Sequence, residues 1–169
     1  ERFDVIEWIK LIISWDSNAQ IILHGVSMGA ATVLMASGEE LPENVKVIIA
    51  DCGYTSEWDE FKCEANALHI PWFPVLNAAS VLSRLRDGYD FKQASALEKV
   101  KQSRIPTLFI HGSDDELVPY SMLDKLYSAA ACEKECLTVN GAGHALSSSV
   151  EPELYWNTVE SFIDKYLEK

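Results

Sequence analysis

The chain has 169 residues, of which 48% are hydrophobic and 24% are charged, a balance typical of globular rather than disordered proteins. Its 14 basic and 26 acidic residues give a net charge of −12, and the basic residues are scattered. This argues against nucleic-acid and membrane partners, because binding to phosphate groups needs concentrated positive charge. No apolar run reaches the roughly 18 residues of a membrane span, and the first residues do not resemble a basic-then-apolar leader, so we expect a cytoplasmic protein.

The start of the chain predicts helix, strand, tight turn and helix. Residues 3–15 carry apolar side chains around most of a helical wheel, which predicts a largely buried helix. Residues 20–24 predict a short, fully buried strand. After the Gly-Val-Ser-Met-Gly sequence of residues 25–29, the small and apolar residues 30–37 predict a helix that ends at Gly38.

Three further strands are predicted at residues 45–51, 107–111 and 136–140. A helix is expected at about residues 120–131, and another at about 152–167, where Pro152 suits the first turn. Strands separated by helices indicate right-handed crossovers and a parallel sheet of about four strands covered on both faces. The predicted fold class is α/β, in a single domain over residues 1–169.

Residues 54–97 depart from this rhythm. They contain several aromatic residues, and Pro71 and Pro74 are expected to prevent a long helix. We interpret the segment as a cap of short helices inserted over the sheet. The alternative is an ordinary crossover helix with long loops.

Residues 25–29 match the G-x-S-x-G pattern of a nucleophilic serine, with a predicted strand before it and a helix after it. The turn is sharp, so glycines are expected at both flanking positions because side chains there would collide with strand and helix. Ser27 would then project from the end of the strand, next to a helix N-terminus that favours negative charge. The alternative is a structural serine in a tight turn.

A serine hydroxyl needs a base to remove its proton, and the base needs an orienting acid. The sequence His-Gly-Ser-Asp-Asp-Glu-Leu-Val-Pro of residues 111–119 follows the third predicted strand, and Gly-Ala-Gly-His of residues 141–144 follows the fourth. Both lie at strand ends, in the order serine, acid, histidine.

These three motifs together resemble the α/β-hydrolase superfamily, whose acid often lies in H-G-x-x-D-x-x-V-P and whose base often lies in G-x-G-H. The resemblance covers essentially the whole chain and implies that Asp115 is the acid and His144 the base. Residues 27–32 and 51–56 resemble a bacterial branch related to esterases and prolyl-oligopeptidase-type peptidases.

Other polar residues compete for these roles. Asp114 is the acid if the turn differs by one residue, and Asp51 ends the second strand, where some members of the fold place their acid. His111 and His24 are interpreted as structural hydrogen-bonding residues, and His69 as a surface or substrate-contacting residue of the cap.

No cofactor is expected. The four cysteines form no CxxC pair and show no zinc-type spacing with histidine, which favours reduced structural thiols. No glycine-rich phosphate loop is present. We therefore predict neither a metal nor a nucleotide cofactor.

The α/β-hydrolase superfamily that the sequence resembles uses two backbone N–H groups to bind the oxyanion. One belongs to the residue after the nucleophile, here Met28, and a loop after an early strand supplies the second. That superfamily has about eight strands, and the four predicted here correspond to the last four. The chain also starts at Glu1 rather than Met, so we expect a truncated core. Loss of one donor typically costs about 10²–10³ in turnover.

The first strand would be an open apolar edge, which predicts a homodimer or aggregation through it.

The favoured function is a serine hydrolase that cleaves carboxylic ester, thioester or amide bonds of small-molecule or peptide acyl substrates. The cap aromatics suggest an apolar acyl or aryl group. The main alternative is a truncated, weakly active or inactive domain that acts in assembly or binding. An acyltransferase or peptidase variant would use the same nucleophile with a different acceptor.

Overall fold

The structure is a computed structural model that describes residues 1–167. Its strands are β1 (Ile21–Val26), β2 (Val45–Asp51), β3 (Thr107–Gly112) and β4 (Lys134–Val139). Its helices are α1 (Arg2–Trp15), α2 (Met28–Ala36), α3 (Glu57–Ala67), α4 (Trp72–Asp87), α5 (Ala96–Val100), α6 (Ser121–Ala129), α7 (Ser147–Val150) and α8 (Pro152–Ile163).

The four strands form one parallel sheet in the order β1-β2-β3-β4. One face packs on a core that includes residues of α1, α2, α5 and α6. The other face packs on α8, which buries Tyr155, Val159 and Phe162 against the sheet. The predicted α/β class and parallel sheet are confirmed. The register pairs Val26 with Asp51 and Gly112 with Val139, so the carboxyl ends of all four strands lie at one edge.

The first helix and strand are less buried than predicted. Only Ile9 of α1 is fully buried, and Trp15 is 72% exposed, so the prediction of a largely buried helix is wrong. The helix packs on α2 with one side, and its remaining side faces solvent. The strand predicted at residues 20–24 is Ile21–Val26, and it alternates buried and exposed residues instead of being fully buried. Within residues 1–167, β1 pairs with β2 alone, so it is an edge strand.

Most other predicted elements are present with shifted ends. The strand at residues 45–51 is confirmed, and β3 extends one residue beyond the prediction. The fourth strand was predicted at residues 136–140 but is Lys134–Val139, and the last helix ends at Ile163 rather than at residue 167.

The 54–97 segment leaves the sheet and returns to the same place. Ser56 and Ser95 form an isolated antiparallel bridge, and the Leu97 N–H donates to the Thr55 carbonyl at 3.0 Å. The expected interruption by proline is found only at the start of α4, which is kinked at Phe73, between Pro71 and Pro74, and continues from there as a helix to Asp87. Phe73 is non-helical, and Pro74 lies in the first turn, where a helix has no use for its missing N–H.

None of the helices within residues 1–167 has the length and apolar character needed to cross a bilayer.

Candidate active site

Ser27 lies on a strained turn between β1 and α2. Its backbone has φ 54° and ψ −118°, a conformation that a non-glycine residue keeps only where its surroundings impose it. The Ser27 N–H donates to the carbonyl of Asp51 at 2.8 Å, which ties the turn to the end of β2. The hydroxyl is therefore presented at the carboxyl edge of the sheet, as predicted from the motif.

The two glycines of the turn differ in what they allow. A Cβ at Gly25 would lie 2.3 Å from the backbone carbon of Gly29, so only glycine fits there. A Cβ at Gly29 would meet no atom of residues 1–167 within 4 Å. The expectation of collisions at both flanking positions is thus right for Gly25 and wrong for Gly29.

Asp115 is buried in the loop after β3, and both of its carboxylate oxygens accept hydrogen bonds. One carboxylate oxygen, Oδ1, accepts the backbone N–H groups of Leu117 at 3.0 Å and Val118 at 2.9 Å. The other, Oδ2, lies 2.8 Å from Nδ1 of His144. The backbone bonds leave the second oxygen aimed at the histidine.

These contacts keep Asp115 ionised despite its burial. Burial alone would raise the pKa of the carboxyl, but hydrogen bonds from His111, His144 and the Val118 N–H outweigh it, so the pKa is lowered. An ionised carboxylate can only accept, so Nδ1 of His144 is the donor of the 2.8 Å bond.

His144 connects the acid to the serine. Its Nε2 lies 2.8 Å from Oγ of Ser27, and with Nδ1 protonated this nitrogen is the acceptor of the serine hydroxyl. The His144 side chain is 22% exposed, whereas the Asp115 side chain is fully buried. The structure thus brings together Ser27, His144 and Asp115 in one continuous line of hydrogen bonds.

The loops that carry acid and base are joined to each other. A Cβ at Gly112 would lie 2.2 Å from the carbonyl oxygen of Ala142, so the two chains touch there without room for a side chain. The Asp114 N–H donates to the same carbonyl at 3.0 Å, and the Gly141 N–H donates to Oγ of Ser113 at 2.8 Å. Asp115 and His144 therefore stand on one bonded unit.

The competing acids lie elsewhere. Asp114 is exposed, and its Oδ1 accepts the hydroxyl of Ser113. Asp51 is buried and accepts the hydroxyl of Ser147 at 3.1 Å. Burial raises the pKa of Asp51, and the hydrogen bonds from Ser147 and Tyr155 offset this only in part. Within residues 1–167, Asp115 is the one of these three carboxylates that hydrogen-bonds to His144.

The other histidines make structural contacts. His111 is fully buried, with Nε2 2.9 Å from the Val118 carbonyl. His24 lies 3.0 Å from the hydroxyl of Tyr155, and burial lowers the pKa of this imidazole, although the charge of Asp51 acts in the opposite direction. The exposed His69 has a positive φ of 56° just after α3.

Met28 begins α2, directly after the serine. The first N–H groups of a helix have no partner within the helix, so the Met28 N–H is available beside Ser27. The N-terminal end of α2 also carries partial positive charge.

Cys52 is a site neighbour that motif analysis missed. It follows β2 with a positive φ of 47°, is 1% exposed, and has the backbone N–H groups of Ser27 and Ala145 near its sulfur. Burial, with the nearby charge of Asp51, raises the pKa of its thiol to about 12. Its position directly after Asp51 was the available signal, because strand ends form the site.

The 54–97 segment also places one carboxyl group in the protein interior. Glu60 of α3 is 7% exposed, and its Oε2 is buried with no hydrogen-bond partner among residues 1–167. Burial, reinforced by the charges of Glu64 and Asp115, raises the pKa of Glu60 to about 7.

The parallel sheet, the serine turn and the loops at its carboxyl edge define an α/β-hydrolase. The sequence matches the prolyl oligopeptidase family over residues 3–169, and the chain belongs to that family.

Similar proteins of known sequence are longer than this chain. It is 29% identical over 166 residues to the uncharacterised protein YqkD of Bacillus subtilis, covering 97% of this chain and 54% of that protein. It is 30% identical over 106 residues to human alpha/beta hydrolase domain-containing protein 17C, covering 61% of this chain and 32% of that protein. The chain spans about half the length, or less, of the curated relatives it matches.

Solved structures share the fold at low sequence identity. The acetyl xylan esterase from Paenibacillus sp. R4 superposes with a TM-score of 0.74 at 18% identity, over 98% of this chain and 52% of the esterase. An acylaminoacyl peptidase from Pyrococcus horikoshii gives 0.72 at 14% identity, over 99% of this chain and 28% of the peptidase.

Proposed function

We propose that this chain is the nucleophile-bearing part of a serine hydrolase that cleaves carboxylic ester, thioester or amide bonds through an acyl-enzyme. The observation that carries the proposal is the hydrogen-bonded line from Ser27 through His144 to Asp115, with both bonds at 2.8 Å. Each of the three groups has the neighbour that its role in acyl transfer requires.

In the proposed reaction, Oγ of Ser27 attacks the acyl carbon while Nε2 of His144 takes its proton. The Asp115 carboxylate stabilises the imidazolium through Nδ1. The Met28 N–H donates to the oxyanion of the tetrahedral intermediate. His144 then protonates the leaving group, and an acyl ester on Ser27 remains. Water, deprotonated by His144, attacks this ester and releases the acid.

The names of similar proteins bear on the substrate class. The solved structures of similar fold include an acetyl xylan esterase and an acylaminoacyl peptidase, and both activities are acyl transfers to water. The exposed apolar residues of the 54–97 segment support an apolar acyl or aryl group in the substrate.

The test is covalent labelling by a fluorophosphonate probe, read by intact mass. We expect the wild-type chain to gain one probe mass and the Ser27→Ala variant to gain none. Ser149→Ala is the matched control, because Ser149 is an exposed serine outside the hydrogen-bonded line, and it should label like the wild type. Absence of labelling in the wild type would contradict the proposal for this chain.

A second candidate is an inactive or weakly active module that acts in assembly or binding. The observation that favours it is that relatives are about twice as long as the segment they share with this chain. An unlabelled but cooperatively folded chain would support this candidate.

We also propose that β1 forms an interface with a second copy of the chain. Exposed strand edges carry unpaired backbone groups that favour such pairing, and β1 pairs only with β2 within residues 1–167. Light scattering is expected to give twice the 18.9 kDa of one chain, and a monodisperse monomer would contradict this.

The cytoplasmic location and the absence of nucleic-acid and membrane partners stay predictions from charge and composition.

A further inference from the structure

Three side chains of different chemistry meet at the base of the site. Cys52 follows β2, Asp115 follows β3 and His144 follows β4, and one potential ligand atom from each lies within 4.8 Å of the other two. Within residues 1–167 this is the one such group of three histidine, cysteine or acidic residues. The residues are far apart in sequence, so no spacing pattern could reveal the group.

The donor set suits a particular kind of cation. A thiolate, an imidazole nitrogen and a carboxylate oxygen are the ligands that bind Zn²⁺ and Co²⁺ in proteins, whereas Mg²⁺ and Ca²⁺ prefer oxygen alone. Zinc bonds of about 2.0–2.3 Å place tetrahedral ligands about 3.3–3.8 Å apart. The present group would therefore close by roughly an ångström, and the fourth position stays open to water.

We propose that Cys52, Asp115 and His144 form an inhibitory site for a thiophilic divalent cation, with Zn²⁺ as the type case. This differs from a resident cofactor, which the sequence does not predict. The thiol of Cys52 is free. The metal–sulfur bond forms as the thiol proton leaves to solvent, with no change of oxidation state.

Either ring nitrogen of His144 gives the same outcome. If the cation binds Nε2, it occupies the lone pair that accepts the Ser27 proton. If it binds Nδ1, the ring proton must move to Nε2, and Nε2 again has no lone pair for the serine. In both cases Nε2 cannot accept the serine proton and the base is lost, and binding at Nδ1 also replaces the hydrogen bond between His144 and Asp115. This inhibitory consequence rests on the proposed function, whereas metal binding rests only on the three side chains.

The first experiment measures binding without activity. Co²⁺ is titrated into the Ser27→Ala chain, and the thiolate-to-cobalt charge-transfer absorption is followed in the near ultraviolet. We expect one Co²⁺ per chain with this absorption, displaced by Zn²⁺. A Cys52→Ser change in the same background should abolish the absorption. Cys136→Ser is the matched control, because Cys136 is the exposed cysteine of β4, and the absorption should persist in it.

Three results would overturn the site: no thiolate absorption in Ser27→Ala, absorption that survives Cys52→Ser, or absorption that disappears in Cys136→Ser. Circular dichroism shows whether the Cys52→Ser chain is folded. If it is not, Cys52→Ala in the same background replaces it.

The second experiment tests inhibition. Saturating Zn²⁺ is expected to slow fluorophosphonate labelling of the wild-type chain by about 10²-fold, the scale of losing a general base. EDTA should restore the rate, and Cys136→Ser should respond like the wild type. Unchanged labelling in the presence of bound Zn²⁺ would overturn inhibition. A chain that binds Co²⁺ but never labels would instead contradict the proposed function and leave the metal site standing.

Discussion

The carboxyl edge of the sheet and the 54–97 segment differ in how firmly their side chains are held. At the sheet edge, backbone hydrogen bonds hold two of the proposed catalytic residues, through the Ser27 N–H on the Asp51 carbonyl and through two backbone N–H groups on the Asp115 carboxylate. In the segment, α4 buries only three side chains, and Leu85 is 81% exposed. The comparison indicates that side-chain positions are fixed by hydrogen bonds where the proposed reaction takes place. The 54–97 segment instead exposes apolar side chains that few contacts hold in place.

The largest effect is expected from a change to the proposed acid at the sheet edge. Asp115→Asn keeps the shape of the side chain but lets it donate to Nδ1, which favours the wrong histidine tautomer. We expect the labelling rate to fall by about 10⁴-fold. Asp114→Asn is the matched control and should label normally, since Asp114 contacts Ser113 rather than His144. Equal effects of the two changes would contradict the assignment of the acid.

A matched pair of leucines compares the stability of the two regions. Leu108→Ala removes a fully buried side chain of β3 and should lower the free energy of unfolding by about 2–5 kcal/mol. Leu85→Ala in α4 should change it by no more than about 0.5 kcal/mol. Urea unfolding measures both. A comparable loss for Leu85→Ala would show that α4 is covered in solution, by a second copy of this chain or by another polypeptide.

The smallest expected effect concerns the buried carboxyl of the segment. Its pKa is raised to about 7, against about 4.3 in an unfolded chain. Between these values the folded chain keeps a proton that the unfolded chain releases, so the free energy of unfolding falls as pH rises through this window. Glu60→Gln removes that fall and should stabilise the chain by about 1–3 kcal/mol at about pH 8, with no gain near pH 4.

Urea unfolding at both pH values checks the Glu60 prediction. Glu43→Gln is the control, because Glu43 is an exposed glutamate outside the segment. An unchanged pH dependence in Glu60→Gln would show that another group sets it.

The sheet was predictable because its strands are short apolar runs bounded by turn residues. Residues 45–51 are buried on both faces and read as a strand from their composition alone. The exposure of α1 was not predictable in the same way, since Trp8 and Trp15 look like core residues in sequence. Burial depends on what packs on a helix, and periodicity does not carry that information.

The line from Ser27 to Asp115 could be anticipated from motifs, because the backbone geometry that the triad needs selects local residue patterns. The position of Cys52 after β2 indicated that it lies at the sheet edge, but its closeness to His144 could not be anticipated, since this arises only when three loops meet. Glu60 was missed for a related reason. It lies in an amphipathic helix where a glutamate is ordinarily solvated, and only the packing of the segment buries it.

The close approach of Gly112 to Ala142 matters to anyone who engineers this scaffold. Loop grafting usually treats each connection after a strand as an independent cassette. Here the backbone of one connection fills the space where the other would need a side chain, so residues 112–115 and 141–144 must be exchanged as a single cassette. A donor scaffold with any larger residue at position 112 would be incompatible with the recipient before specificity could be redesigned.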